Sequence, residues 1–191
     1  MQKVYLAGPD VFLPEAIAVG VRKKELCAEF GFEGLYPFDN EISPNPGGEP
    51  VDRLIYRANE RMIRRADFGI FNLTPFRGPS ADVGTVFELG MLAGLGKRVF
   101  GYTNVTDDLL DRCKRFDELT FDPAEKVWRD SAGMSVEDIG NADNLMIDNS
   151  LTEHGGYPIV RHKALAGELF RDLTGFKACL RLAAEAISKT A

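Results

Sequence analysis

The sequence has few of the residues that cross-link small secreted proteins or ligate metals. Its three cysteines, Cys27, Cys113 and Cys179, lie far apart and have no C-x-x-C spacing. Such a set predicts neither a disulfide framework nor a zinc site, and we expect free thiols in a reducing compartment. The two histidines, His154 and His162, have no cysteine near them, which also argues against a zinc site.

Long apolar runs and basic clusters are missing as well. The N-terminal stretch MQKVYLAGPDVFL has no signal-peptide core, and no segment reaches the roughly 18 apolar residues that a membrane helix needs. The net charge is −6, and the short basic run RMIRR at residues 61–65 is typical of a solvated helix face. Because nucleic-acid binding normally uses a basic surface, we expect a cytoplasmic protein that binds neither nucleic acid nor a membrane.

What the sequence does contain is a regular alternation of short apolar runs and longer amphipathic segments. This alternation predicts an α/β fold, in which parallel strands form one sheet and helices cover both of its faces. The predicted strands are 3–8, 34–40, 67–73 and 98–103, and the predicted helices are 14–30, 51–65 and 83–95.

The remaining segments are less regular. Residues 41–50, EISPNPGGEP, are rich in proline and glycine and predict a loop that could flank a site. Residues 104–142 are charged and weakly periodic, which indicates an insertion in what we expect to be a single domain over 1–191. The run NLMID at 144–148 fits either a fifth strand or an apolar insertion, and the apolar spacing of 163–188 predicts a C-terminal helix.

Several residues at the ends of the predicted strands are candidates for a ligand site. Gly8 and Pro9 follow the first strand, Asp39 lies at the end of the second, and Tyr5 is inside the first. Because the carboxyl ends of parallel strands share one edge of a sheet, these residues should converge there. The segment AGPDVFLPEA matches neither phosphate-loop pattern, and Asp10 would repel a phosphate at this turn.

Two carboxylates in the stretch FRGPSADVGTVFELG, residues 76–90, need a separate explanation. Asp82 occupies the position of a helix N-cap, which capping alone would explain. Glu88 lies inside the predicted helix, one turn after Gly84 and Thr85, whose small side chains leave room beside it. A carboxylate in such a tight, partly apolar setting is either a functional group or one half of a structural ion pair. The spacing alone leaves both possibilities open.

Three segments resemble the nucleoside 2-deoxyribosyltransferases, most closely the branch that includes the kinetoplastid enzymes. They are KVYLAGPDVF, YPFDN and NERMIRRADFGIFNLTPFRGPSADVGTVFELGMLAGLGKRVFGYTN. The similarity covers residues 3–104 and resumes at DNLMID, and its most specific part is D-x-G-T-x-F-E-x-G after T-P-F-R-G. The resemblance implies a flavodoxin-like, doubly wound sheet of about five parallel strands. It also implies transfer of a 2-deoxyribosyl group between nucleobases without a metal or a cofactor.

The resemblance further implies roles for individual residues. Glu88 corresponds to the catalytic nucleophile, Asp82 to the residue that binds the sugar hydroxyls, chiefly the 5′-OH, and Tyr5 to a tyrosine near the nucleophile. Asn59 lies where some members have an aspartate that contacts the base. Asn144 resembles an asparagine that a neighbouring subunit contributes, which implies a homo-oligomer with shared active sites. The expected substrate-binding residues are Gly8, Pro9, Asp39, Asn59 and Asn144.

Asn59 is a departure from the members that have an aspartate at this position. An amide can hydrogen-bond a base but cannot give up a proton as a carboxylic acid does. The sequence therefore does not identify the group that donates a proton to the leaving base. The candidates are Asp39, Asp10 and a water molecule. Asp82 should accept a hydrogen bond from a free 5′-OH and repel a 5′-phosphate, which predicts nucleosides rather than nucleotides as substrates.

The expected substrates are thus small molecules, a 2′-deoxynucleoside and a free nucleobase. Two other functions remain open on the same scaffold. One is an N-glycohydrolase of deoxynucleosides or their nucleotides, in which water replaces the acceptor base. The other is a nucleoside-binding domain without turnover.

Overall fold

The computed structural model describes residues 1–40 and 48–189, so the predicted loop at 41–50 lies mostly outside the described residues. The first part of the chain alternates strands and helices as the sequence predicts. In chain order these elements are β1 (Gln2–Ala7), α1 (Ala16–Glu29), β2 (Phe32–Leu35), α2 (Val51–Arg65), β3 (Phe68–Asn72), α3 (Val83–Gly94) and β4 (Arg98–Thr103). The later elements are α4 (Leu109–Phe116), β5 (Thr120–Asp122), β6 (Val127–Arg129), β7 (Ser135–Val136), α5 (Leu145–Gly155), β8 (Val160–Arg161) and α6 (Thr174–Ser188).

The main sheet has five parallel strands in the order β2-β1-β3-β4-β8. Strand β1 is central to the first half, because Tyr5 pairs with Leu35 of β2 on one side and with Gly69 of β3 on the other. Counted along the sheet, this is the 2-1-3-4-5 order of flavodoxin-like folds. The predicted fold class is therefore confirmed. In this order the direction of winding reverses between β1 and β3, which places a crevice at their carboxyl ends.

Helices cover both faces of the sheet, and alternate residues of each strand contact opposite layers. Tyr5 and Ala7 are buried against α2, α3 and α5, whereas Val4 and Leu6 are buried against α1 and α6. This period of two follows from the pleat of a strand. Because helices cover both faces of the sheet, the sequences of the strands are nearly continuous apolar runs, as expected for a parallel sheet.

The segment 144–148 is neither a strand nor a simple apolar insertion, because it begins helix α5. The side chain of Asn144 caps this helix by accepting a hydrogen bond from the Met146 backbone N–H, 3.0 Å away. A short apolar run does not distinguish a strand from a buried helix, and here Ile147 is the residue that faces the core. The fifth strand is β8 instead, and its two residues, Val160 and Arg161, are too few to give a periodic signal.

The predicted C-terminal helix over 163–188 is too long at its N-terminal end, because α6 begins only at Thr174. Leu165, which fitted the apolar spacing, is 77% exposed, whereas Phe176 and Leu180 are buried against the sheet. The preceding segment contains Gly167 with a φ of 85°, a conformation that a regular right-handed helix excludes.

Residues 104–142 form a helix and a small second sheet. After α4, the strands β5, β6 and β7 pair antiparallel, with Phe121 opposite Trp128 in the first pair. The two rings lie 5.4 Å apart, and the ammonium group of Lys114 lies 4.1 Å from the Trp128 ring centre. Within the described part of the chain, no helix is both long and apolar enough to span a membrane.

Candidate active site

A pocket of about 620 Å³ opens at the carboxyl ends of the strands, where the winding of the sheet reverses. Its walls come from the loop after β1, the loop after β2, the inner face of α2 and the first turns of α3. Glu88 and Asp82 both line it, and Asn59 lies across from them on α2. Ligands of doubly wound sheets bind at this position because several loops meet there.

Glu88 is the most perturbed acid of the pocket. Burial in its partly apolar setting, with a smaller effect from the negative charge of Asp82, raises the pKa of Glu88 to about 7. Tyr5 and Asn59 act in the opposite direction, since polar contacts with the carboxylate favour its ionised form. The Asn59 amide donates to the Glu88 carboxylate, with 3.3 Å between Nδ2 and Oε1. Glu88 is thus held in a pocket as a carboxylate that titrates near neutral pH.

Tyr5 lies beside Glu88 and is fully buried, so it does not itself line the pocket. Burial, followed by the charge of Glu88, raises the pKa of Tyr5 well above its ordinary value, so the phenol stays protonated. The hydroxyl is close enough to interact with the carboxylate, but within the described residues it makes no hydrogen bond of ordinary geometry.

Asp82 is the N-cap of α3, as the sequence predicts. Its Oδ2 accepts hydrogen bonds from the backbone N–H and the hydroxyl of Thr85, both at 2.9 Å. The hydrogen bonds that Asp82 makes inside the described chain all use Oδ2, which leaves Oδ1 for a ligand in the pocket. One carboxylate can therefore cap the helix and bind a hydroxyl at the same time.

The loop after β1 places Gly8 against the pocket because the chain comes very close to β3 there. A side chain at Gly8 would put its Cβ 2.5 Å from the Cβ of Asn72, so only glycine fits. Pro9 is buried and does not line the pocket. Asp10 is also buried, and its Oδ2 accepts from Lys23 Nζ at 2.7 Å and from the Tyr36 hydroxyl at 3.2 Å.

Asp39 and Asn144 also lie outside the wall of this pocket. Asp39 accepts a hydrogen bond from the Tyr36 backbone N–H at 2.9 Å and forms an ion pair with Lys24. Asp39 and Asp10, the two acids considered for proton delivery, are thus engaged in structural contacts. Asn144 is exposed at the start of α5, and its amide donates to Glu137 at 2.6 Å.

The sequence did not identify the apolar walls of the pocket. Phe12 and Phe38 both line it and are more than half exposed, and the Phe12 ring stacks on Phe76 with 5.1 Å between centroids. Asn40, which lies beside Asp39 at the end of the second predicted strand and was a candidate on that ground, does line the pocket, and its amide donates to Asn59 Oδ1 at 3.4 Å. Phe12 and Phe38 could have been identified from their positions in the sequence. Each lies at or just after the end of a predicted strand, where a large aromatic side chain cannot pack into the core and is therefore a candidate for ligand contact.

The pocket combines flat aromatic walls with two carboxylates at one end. Among the described residues that line it, Asp82 and Glu88 are the only ones that carry charge, and the remainder are apolar, small or amide side chains. Such a site suits a planar, uncharged ring joined to a group with hydroxyls. The ionised Glu88 could then stabilise positive charge, or attack an electrophilic carbon, at the junction.

Comparison with known proteins identifies the family of this chain. The sequence model of the family described as nucleoside 2-deoxyribosyltransferase matches residues 4–146. An uncharacterized protein of Schizosaccharomyces pombe is 31% identical over 169 residues, which cover 82% of this chain and 80% of that protein.

Solved structures share the fold of this chain. The 2-desoxiribosyltransferase from Leishmania mexicana is 27% identical and superposes with a TM-score of 0.67, over 97% of this chain and 98% of that one. A conserved protein from Enterococcus faecalis V583 shares the fold at 18% identity and a TM-score of 0.52, over 91% of this chain and 97% of that one. On the family match and the fission-yeast relative together, the chain belongs to the nucleoside 2-deoxyribosyltransferase family.

Proposed function

We propose that this protein transfers the 2-deoxyribosyl group of a 2′-deoxynucleoside from one nucleobase to another. The observation that carries the proposal is the pairing of Glu88 with Asp82 at one end of a pocket with aromatic walls. The base would lie between the rings, with Asn59 and Asn40 within the same pocket to bind its polar edge. The sugar would then lie over the first turns of α3.

Glu88 would act as the nucleophile. When the bond from C1′ to the base nitrogen breaks, the sugar carbon becomes cationic, as in glycoside hydrolysis. The ionised carboxylate stabilises this cation and then captures it as a covalent deoxyribosyl ester. The acceptor base attacks the same carbon from the other side, so two inversions give net retention. A 2′-hydroxyl would withdraw electrons from C1′, which is why such chemistry favours deoxyribosides.

The leaving base must also gain a proton. Asn59 cannot supply one, and Asp10 and Asp39 are held in other contacts. A water molecule is therefore the source that we propose for this step, and the resulting hydroxide regains a proton from the ring N–H of the acceptor base when that base attacks C1′. Water that reaches C1′ instead would hydrolyse the ester, so slow release of free deoxyribose is the expected side reaction.

One exchange experiment tests the proposal. The protein is incubated with a 2′-deoxynucleoside and a different free base, and the products are separated by chromatography. We expect the new nucleoside to form, and mass spectrometry with donor alone to detect a deoxyribosyl adduct on Glu88. Glu88→Ala should lose both the product and the adduct. Free sugar without new nucleoside would identify an N-glycohydrolase, and binding without any turnover would leave only a nucleoside-binding domain.

We also propose that the protein is a homo-oligomer in which Asn144 of one subunit reaches the pocket of another. Asn144 supports this because it is exposed and lies outside the pocket of its own chain. Exposed apolar side chains on α3 and α5 support the same assembly, since these two helices pack against each other and Val83 is 84%, Phe87 58% and Met146 71% exposed. Large apolar groups grouped in this way are typical of a protein–protein interface.

A further inference from the structure

A buried ion pair connects the segment between β4 and α5 to the loop that carries Asp82. Arg112 projects from α4 and is 7% exposed, and Asp143 precedes α5 and is 1% exposed. Arg112 Nη2 lies 3.5 Å from Asp143 Oδ2. Neither residue lines the pocket, so neither would touch a substrate.

The guanidinium of Arg112 also binds three backbone carbonyls. Nε donates to the carbonyl of Pro79 and Nη1 to that of Asp107, both at 2.6 Å, and Nη2 donates to the carbonyl of Ala142. One of these, Pro79, lies three residues before Asp82. A lysine could not reproduce this set, because it lacks the planar fork of donors.

Asp143 holds the next two residues of the same loop. Its Oδ2 accepts a hydrogen bond from the Ala81 backbone N–H at 2.9 Å, and its Oδ1 accepts one from the Ser80 hydroxyl. Oδ1 also accepts from the Asn144 backbone N–H at 2.8 Å. Arg112 and Asp143 together therefore hold Pro79, Ser80 and Ala81, the three residues that lead into Asp82.

The other contacts of this loop lie further from Asp82, since Thr74 makes buried hydrogen bonds with Asn72 and Asn104 and the Phe76 ring stacks on Phe12. Arg112 and Asp143 hold the part that directly precedes the helix. Residues 73–82 contain neither helix nor strand, and Arg77 in their middle has a φ of 57°, which non-glycine residues seldom adopt. The position of Asp82 at the start of α3 therefore depends on how this loop approaches the helix. Loss of either partner would leave the other charge buried and unpaired, which is strongly destabilising for the local structure.

We propose that Arg112 and Asp143 are positioning residues that hold Asp82 where it binds the 5′-OH of the sugar. This inference rests on the proposed function, because it presumes that Asp82 contacts the sugar. It also assigns a role to α4 within 104–142, as a support for the substrate-binding loop. A displacement of about 1 Å in such a contact costs up to about 10²-fold in rate.

The kinetic test compares two donors, a 2′-deoxynucleoside and its analogue that lacks the 5′-hydroxyl. In Arg112→Met and Asp143→Asn we expect kcat/KM to fall about tenfold or more for the natural donor, and much less for the analogue. The ratio of kcat/KM for the natural donor to kcat/KM for the analogue should therefore fall in both variants. The matched control is Arg161→Met, since Arg161 also binds an aspartate, Asp108, and two backbone carbonyls, those of Thr106 and Gly140, but within the described chain it donates no hydrogen bond to residues 79–82.

Hydrogen–deuterium exchange supplies a readout that needs no activity. The amides of Ala81 and Thr85 are donors to Asp143 and Asp82, so their protection should fall in the two variants and not in Arg161→Met. Ser80→Ala removes a single hydrogen bond and serves if the stronger variants do not fold, with a smaller effect in the same direction.

Three outcomes are distinguishable. A reduced donor ratio together with faster exchange at residues 80–85 supports the positioning role. An equal loss for both donors, or unchanged exchange at these residues, overturns it. If the wild-type protein turns over no deoxynucleoside, the proposed function fails, and the exchange result then decides on its own whether the ion pair holds the loop.

Discussion

The Asn59 amide donates a hydrogen bond to the Glu88 carboxylate across the pocket, with 3.3 Å between Nδ2 and Oε1. This bond favours the ionised form of Glu88, whereas burial and the charge of Asp82 favour the protonated form. The pKa of Glu88, about 7, is the balance between them. Small changes around Glu88 should therefore move its titration across the neutral range.

The first prediction concerns the pH dependence of turnover. Because the nucleophile must be ionised, kcat/KM of the wild-type protein should rise with pH and level off above about 7. Asn59→Asp replaces a hydrogen-bond donor with a second negative charge, which raises the pKa of Glu88 further. We expect the midpoint of the rise of kcat/KM with pH to move to higher pH by about one unit or more.

Asn59→Ala is the matched control, since it removes the donor without adding a charge and should give a smaller upward shift. The measurement is kcat/KM against pH with a donor base that does not titrate in the range. If the midpoint is the same in Asn59→Asp as in the wild-type protein, ionisation of Glu88 does not cause the rise of kcat/KM with pH.

The second prediction concerns stability. The pKa of Glu88 is raised in the folded state from an ordinary 4.5 to about 7, so between these values the folded protein binds more protons than the unfolded chain. Ionised Glu88 thus lowers stability above pH 7, and this cost disappears as the pH falls toward 4.5. We expect Glu88→Gln to stabilise the protein above neutrality by up to roughly 2–3 kcal/mol, and to have little effect in acid.

Urea unfolding of the wild-type protein and of Glu88→Gln at several pH values measures this difference. Glu60→Gln controls for charge removal in general, because Glu60 lies on α2 outside the pocket and pairs with Arg64 at 2.7 Å. A stabilisation that is the same at acid and alkaline pH would contradict the assigned pKa.

The third prediction concerns the 5′ end of the substrate. Asp82 should accept a hydrogen bond from a free 5′-OH, and its charge should repel a 5′-phosphate. We expect faster turnover of deoxyinosine than of its 5′-monophosphate. The difference between the two rates should be smaller in Asp82→Ser. Serine still caps a helix, so the variant should fold. Faster turnover of the monophosphate by the wild-type protein would remove Asp82 from this role.

The fourth prediction concerns assembly. Phe87 is exposed on α3, so Phe87→Lys should leave the monomer folded but disrupt an interface that includes this helix. Sedimentation velocity should then detect smaller particles, and transfer activity should fall with dissociation. Ile17→Lys is the control, because Ile17 is 67% exposed on α1, which covers the opposite face of the sheet. A wild-type monomer, or equal effects of both changes, would exclude this interface.

The parallel sheet could be predicted because buried strands and their turns leave strong local signals. The same is true of Asp82, since a capping residue precedes an apolar helix in the sequence itself. Helix α5 was missed because NLMID is a short apolar run, which fits a strand as well as a helix. Its N-cap residue, Asn144, did not distinguish the two either, because asparagine is also common in turns. Strand β8 is defined by its pairing with β4, which no local pattern encodes.

The walls of the pocket were harder to predict for a different reason. Phe12 and Phe38 belong to loops, and only the sheet brings the two loops together. The ion pair of Arg112 and Asp143 is equally non-local, because 30 residues separate its members and the loop they hold lies still earlier. Pairing across such distances leaves no periodic trace in a single sequence.

Asp82 caps α3 and Glu88 lies within it, six residues further along, whereas the aromatic walls belong to separate loops. The rise of an α-helix sets the axial separation of the two acids at about 9 Å, and residues 79–81 determine how Asp82 enters the helix. Under the proposed function, recognition of the sugar is thus a property of α3 and the loop that leads into it, and the choice of base is a property of other elements. Substitutions at Phe12 or Phe38 could exchange one base preference for another while the sugar chemistry stays intact, so the two specificities are free to evolve independently.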